Sequence, residues 1–120
     1  MIEINIKPLS VNEAWQGRRF KTSKYKVYES NILLLLPNIQ IPPPNWAITY
    51  HVGYSNTQSD IDNFLKPFQD CIQKKYNIND RYIYKEIIEK HIVPKGKEYI
   101  HFEIYHIDLM EEEGIIKPHF

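Results

Sequence analysis

The sequence predicts an α+β domain of mixed α/β type, ordered β-α-β-α-β-β, with the helices packed on a sheet. Runs that alternate apolar and polar residues occur near the start, in the middle and twice toward the end. Between them lie two segments whose apolar residues recur at helical spacing. The length of 120 residues, with 42% hydrophobic and 13% aromatic content, suits one modest core.

"IEINIK" has the period of a half-buried strand, expected over Ile2 to Lys7 and closed by the proline and turn formers of "KPLSVN". "GRRFKTSKYKVYESNILLLLPN" begins as basic loop and offers Thr22 or Ser23 as an N-cap. It then predicts a helix from Ser23 to Leu36, stopped by Pro37. "IPPPNW" is a stiff, extended link too short to divide two domains. "WAITYHVGY" places Trp46, Ile48, Tyr50, Val52 and Tyr54 on one strand face, with Gly53 expected as a bulge. The next helix runs from Asn63 to Tyr76, with Phe64, Leu65, Phe68, Cys71 and Ile72 on its apolar side. Pro67 must fall in its first turn, which sets the N-cap near Asn63 or Phe64. After the turn "NINDR" come two strands, "YIYKEIIEKHIV" and "EYIHFEIYHI", with "PKGKE" expected to join them as a hairpin. The last residues, 109–120, are expected as a frayed or partner-bound tail.

Fifteen basic residues balance fifteen acidic ones, so any attraction for nucleic acid must be local. The single cysteine, Cys71, excludes an intramolecular disulfide and a cysteine zinc site. It reads as core filling in a reducing, cytoplasmic setting. The N-terminus reads as neither signal peptide nor membrane span, and "ILLLLP" is too short for one.

The chemistry concentrates in "QSDIDNFLKPFQD", where Asp60, Asp62 and Asp70 surround Lys66, with Asp80 in the loop beyond the helix. Two carboxylates about 4 Å apart repel by roughly 4 kcal/mol at an effective dielectric near 20, so the cluster calls for a cation or a shared proton. Oxygen ligands without histidine or cysteine suit Mg²⁺ or Mn²⁺, and such a site invites phosphate. A helix cap or an i,i+4 pair of Asp62 with Lys66 is the plain alternative, but neither explains Asp60. A helix-loop-helix calcium site fails, because Phe64 and Leu65 stand where an oxygen ligand and a glycine are needed. The histidines lack a metal-binding spacing and read as structural, and the tyrosines read as sheet and core residues.

"KPLSVNEAWQGRRFKTSKYKVYES", then D-x-D-N-x-x-K as "DIDNFLK", the aspartate of "KPFQDCI" and "NDRYI" after the helix together resemble the RusA family of Holliday junction resolvases. The resemblance spans Pro8 to about Lys90 and departs from the family pattern at Asn79, where many relatives carry a first acid. It departs again where Leu65 precedes the lysine and Pro67 follows it. It implies an endonuclease domain over 1–108 that resolves four-way junctions by paired, symmetric nicks, with Mg²⁺ (Mn²⁺ as the alternative), as a homodimer without membrane association. By the same resemblance Asp60, Asp62 and Asp80 hold metal, Lys66 is the essential lysine and Asp70 is a fourth acid. Arg18, Arg19, Lys21, Lys24 and Lys26, a run without an acid, suit contact with the DNA backbone. The competing readings are a non-catalytic DNA-binding accessory protein of recombination or phage origin, and an unrelated structural α+β domain.

Overall fold

The computed structural model describes residues 1–17 and 20–108; Arg18, Arg19 and the tail 109–120 lie outside the described residues. The fold is mixed α+β, with a four-stranded sheet, a two-stranded sheet and three α-helices among the described residues. In chain order these are β1 (Ile2–Ile4), α1 (Val11–Ala14), β2 (Trp15–Gln16), β3 (Phe20–Lys21), α2 (Ser23–Leu35), β4 (Trp46–Tyr54) and α3 (Leu65–Tyr76). A 3₁₀ turn (Asp80–Tyr82), β5 (Ile83–Ile92) and β6 (Tyr99–His106) complete it. None of the described helices is long and apolar enough to cross a membrane.

The large sheet runs β1-β6-β4-β5, with β4 antiparallel to β6 and parallel to β5. This corrects the expected hairpin, since β5 and β6 do not pair and β4 lies between them. β4 carries no charged residue and is buried along nearly its whole length, as a central strand must be. β5 alternates with Lys85, Glu86, Glu89 and Lys90, charges that an edge strand tolerates and that discourage pairing with another chain. The link between them crosses the end of β4 instead of turning back. Val93 N–H donates to the Tyr54 carbonyl at 2.8 Å, Ser55 donates to Glu98 at 2.9 Å, and Gly96 takes the positive φ of 89°.

Other expectations shift for local reasons. β1 ends at Ile4 because Ile6 N–H folds back onto the Ile4 carbonyl. Thr22 is the N-cap of α2, its hydroxyl accepting from Tyr25 N–H. Between β1 and α2, where loop was expected, Ser10 caps the short α1 by accepting from Glu13 N–H, and β2 and β3 form a hairpin. Gly53 is no bulge: the β4–β6 register is unbroken through it, and the irregularity on β4 falls between Trp46 and Ala47 against β5.

α2 and α3 cover one face of the sheet. Tyr25, Tyr28 and Ile32 from α2 and Phe68, Cys71 and Ile72 from α3 close the core over Ile48, Tyr50, Val52, Ile100 and Phe102. Each such side chain contributes about 1.5–3 kcal/mol on burial. The Tyr50 ring meets Phe64 edge-on at 5.4 Å, and its hydroxyl donates to Gln69 Oε1 at 2.9 Å. The core thereby fixes the face of α3 that bears Gln69.

Gly53 has its own requirement, since a Cβ there would stand 2.6 Å from Cε1 of Tyr99, the residue paired with it on β6. We expect Gly53→Ala to destabilise the fold by about 1 kcal/mol or more, read from urea unfolding. In a Tyr99→Ala background the same change should be neutral or stabilising, because the obstructing ring is gone. An equal penalty in both backgrounds would exclude the Tyr99 contact as its cause.

Candidate functional site

The aspartate segment enters α3 through two tight turns, with Asn63 N–H donating to the Asp60 carbonyl and Leu65 N–H to the Asp62 carbonyl. Helix starts leave backbone groups without partners, and the N–H groups of Asn63, Phe64 and Leu65 are met here without the aspartate side chains. Phe64, the N-cap residue, has no side-chain cap bond and donates its N–H to the Tyr54 hydroxyl at 3.2 Å. Pro67 has no N–H to offer the Asn63 carbonyl four residues back, and Val11 N–H of α1 takes that place. The proline that limits the helix start therefore also ties α1 to the mouth of the site.

In consequence the carboxylates of Asp60, Asp62 and Asp80 make no hydrogen bond or ion pair among the described residues, and all three residues are exposed. An open groove of about 330 Å³ is lined by Val11, Asp62, Leu65, Lys66, Gln69, Asp70 and Asp80. A second groove of similar size, lined by Val11, Trp15, Gly17, Lys66 and Asp70, shares the Lys66–Asp70 wall. The fold thus brings Asp62, Lys66, Asp70 and Asp80 together. Asp60 is outside the lining but lies with Asp62 near Tyr54, whose hydroxyl is pushed up to about 12 by burial first and by these two charges after it.

Lys66 pairs along the helix with Asp70, at 3.7 Å, and not with Asp62. Its ammonium also stands 5.5 Å from the centre of the Trp15 ring. Burial raises the Asp70 carboxyl above its ordinary range, Lys66 opposes the shift and Asp80 reinforces it. Gln73 joins the two acids: its Nε2 donates to Asp70 at 3.3 Å, and its Oε1 accepts the N–H of Asp80 at 3.1 Å. Asn79 is a cap, its side chain accepting Arg81 N–H at the start of the 3₁₀ turn.

Sequence reasoning missed Gln69, Gln73 and Glu86. Glu86 of β5 shares the helix-covered face of the sheet through its register with Ile48, and its carboxyl bonds to Gln69. Burial raises its pKa above the ordinary carboxylate range, and Asp80 adds to the shift. Its signal was faint, because an acid in a charged edge strand reads as solvated until the strand's partner is known.

The donor set is all oxygen, in a groove open to water, and among the described residues these acids do not bring three ligand atoms within 4.8 Å of one another. That fits a hard cation held by one or two carboxylates and keeping several waters. Of the basic run, Lys21 pairs with Glu29 at 2.8 Å, Lys24 pairs with Glu13, and Lys26 makes no ion pair among the described residues. Glu29, which also holds Lys74 at 3.0 Å, resists burial and stays below the ordinary carboxylate range under these two lysines.

The family model for Endodeoxyribonuclease RusA matches residues 8–103 of the chain. The chain belongs to the RusA family, endodeoxyribonucleases that are Holliday junction resolvases. No curated protein matches it significantly.

The raised carboxyl of Glu86 makes a signed prediction. A carboxyl whose folded pKa lies above its unfolded value binds a proton more tightly when folded. Its contribution to stability is greatest below the unfolded value and is lost as pH rises through the folded one. Without metal, Glu86→Gln should therefore raise the melting temperature at about pH 8 relative to the parent, and the gain should shrink or reverse near about pH 4. A gain equal at both pH values would rule out the charge as its source.

Proposed function

We propose that this chain hydrolyses phosphodiesters of four-way DNA junctions at the Asp62–Asp80 groove, with Mg²⁺ (or Mn²⁺) as its ion. Residues 1–108 are read as the endonuclease domain, acting as a homodimer that makes paired, symmetric nicks in recombination and repair. The observation that carries the reading is that Asp60, Asp62 and Asp80 have carboxylates without partners among the described residues, with Asp62 and Asp80 lining the groove beside Lys66, in a chain of the RusA family.

Asp62 and Asp80 face the groove from opposite ends of α3 and are the carboxylates to hold a divalent ion, with Asp70 between them and Asp60 beside Asp62. The bound ion supplies acidity to a water and offsets charge on the scissile phosphate. Lys66 presents a compact ammonium on the wall shared by the two grooves, where it can meet a phosphate bound in either. Gln73 holds the Asp80 loop against Asp70 and so sets the width of the acidic mouth. Arg18, Arg19, Lys21, Lys24 and Lys26 are the proposed backbone contacts. The Lys24 pair is an exposed one, worth about 0.2–1 kcal/mol at most, so phosphate can displace its carboxylate at small cost, whereas Lys21 is held to the part-buried Glu29. Two-fold symmetry of the junction is the argument for a dimer, since paired nicks need two equivalent sites.

The test is cleavage of a synthetic four-way junction against linear duplex of the same sequence, with Mg²⁺ or with chelator. The junction should be cut only with metal, and the duplex at least about tenfold more slowly. Equal cleavage of both would leave a nuclease and defeat junction resolution; metal-dependent binding without cleavage would favour a non-catalytic DNA-binding role. Asp62→Asn should abolish cleavage while junction binding persists or tightens, because it removes a ligand and a charge that repels phosphate.

Lys66→Ala should slow single-turnover cleavage by about a hundredfold or more, the scale of losing one preorganised electrostatic partner. Stability should barely change, because an i,i+4 pair contributes only about 0.2–0.5 kcal/mol. Arginine should restore little, as its planar fork does not reproduce an ammonium. Normal cleavage with early melting would make Lys66 structural.

A further inference from the structure

The sheet face turned away from α2 and α3 carries a second set of converging ligands, unrelated to the acidic groove. The parallel register sets His51 of β4 beside Glu89 of β5, and Gly53 beside His91, so these side chains share one face. Glu89 Oε2 lies 2.8 Å from His51 Nδ1 and 3.3 Å from His91 Nε2, and the two ring nitrogens are 3.3 Å apart. Among the described residues this is the set of three metal-ligating groups whose ligand atoms all fall within 4.8 Å of one another.

Either protons or a metal ion can hold that triangle. A carboxylate oxygen only accepts, and each ring nitrogen either donates or accepts. If both nitrogens carry hydrogen, both can donate to the same Glu89 oxygen; if one does not, its lone pair faces the carboxylate. The same convergence suits a cation, which at the centre takes a lone pair from all three. A tetrahedral ion with bonds of about 2.0–2.2 Å sets its ligands roughly 3.3–3.6 Å apart. Two of the three edges already have that length, and the third needs to open by roughly half an ångström.

We propose that His51, Glu89 and His91 form a binding site for a divalent transition metal of the zinc class, with the remaining coordination position open to water. Imidazole selects such ions over Mg²⁺, which prefers oxygen alone. Two neutral rings and one carboxylate leave the bound ion a net single positive charge, and the side chains are exposed enough, at 35–60%, for it to enter from solvent. His101 faces His51 across the β4–β6 ladder, but its ring is stacked on Tyr99 at 4.2 Å and is not one of the three ligands. The ion would fasten the edge strand β5 to the central strand β4.

The full-length chain, stripped with chelator, is titrated calorimetrically with ZnCl₂ in excess MgCl₂, which keeps hard-cation sites occupied. One Zn²⁺ should bind per chain, with affinity falling at least about tenfold in His51→Ala, His91→Ala and Glu89→Gln and unchanged in His106→Ala and Asp62→Asn. Co²⁺ in place of Zn²⁺ should give the intense visible absorption of a tetrahedral site in the parent and lose it in His91→Ala. Circular dichroism without metal checks that each variant is folded, and Glu89→Gln, which keeps side-chain volume, serves where a histidine variant is not. Absence of saturable binding, or affinity unchanged in Glu89→Gln and His91→Ala, overturns the proposal. Binding lost in Asp62→Asn assigns the ion to the acidic groove and overturns it too. None of these readouts uses DNA cleavage, so the outcome is independent of the proposed nuclease activity.

Discussion

The acidic groove depends on how the N-terminus of α3 satisfies its backbone. An aspartate beside a helix start ordinarily spends its carboxylate capping N–H groups. Here the Tyr54 hydroxyl accepts from Phe64, the Asp62 carbonyl from Leu65, and Pro67 removes a donor altogether. With those groups accounted for, Asp60 and Asp62 keep their charges for solvent or a ligand. The Asn63 carbonyl that Pro67 cannot serve is taken by Val11 of α1, so the same proline helps fasten to the groove wall an element already anchored in the core by Ala14.

The groove is also electrostatically unbalanced. Asp62, Asp70 and Asp80 face one ammonium, Lys66, and among the described acids that ammonium pairs with Asp70. Glu86 adds a fourth acid behind Gln69, with burial opposing its ionisation. Gln69 and Gln73, the neutral members, orient this charge without reducing it, through Tyr50 and Glu86 on one side and Asp70 and the Asp80 amide on the other. A divalent ion relieves the repulsion most directly, and it does so only while the acids remain ionised.

Much of this was legible in the residue order. Thr22, Pro67 and the period-two run of β4 each act locally, so β4 stands where the sequence places it, and α2 and α3 differ from the expected bounds by one residue at the end and two at the start, respectively. The exchange of a β5–β6 hairpin for a crossover past β4 was not legible, because "PKGKE" satisfies a turn in either arrangement and the choice is made by which strand can be buried on both faces. The short α1 was signalled by the Ser10-x-x-Glu13 spacing, which reads as a capping box only once it is recognised as the start of four helical residues. Gln73 and Glu86 had no local mark, since their significance comes from Asp80 and Gln69, which the fold brings to them.

The same parallel pairing of β4 with β5 builds both faces of the sheet. Glu86 and Glu89 are three residues apart on one strand, so the alternation of side chains sends them to opposite faces. On the covered face Glu86 is part-buried, bonded to Gln69 and within the field of Asp80. On the open face, the register delivers Glu89 to two imidazoles. Ligand chemistry then sorts the ions, with hard Mg²⁺ suited to the first environment and a borderline transition metal to the second. A one-residue slip of β5 would exchange the two faces and dismantle both sets together. The residues that pin this register, above all the buried run Ile48, Tyr50 and Val52, are therefore as much a part of either site as the ligands themselves.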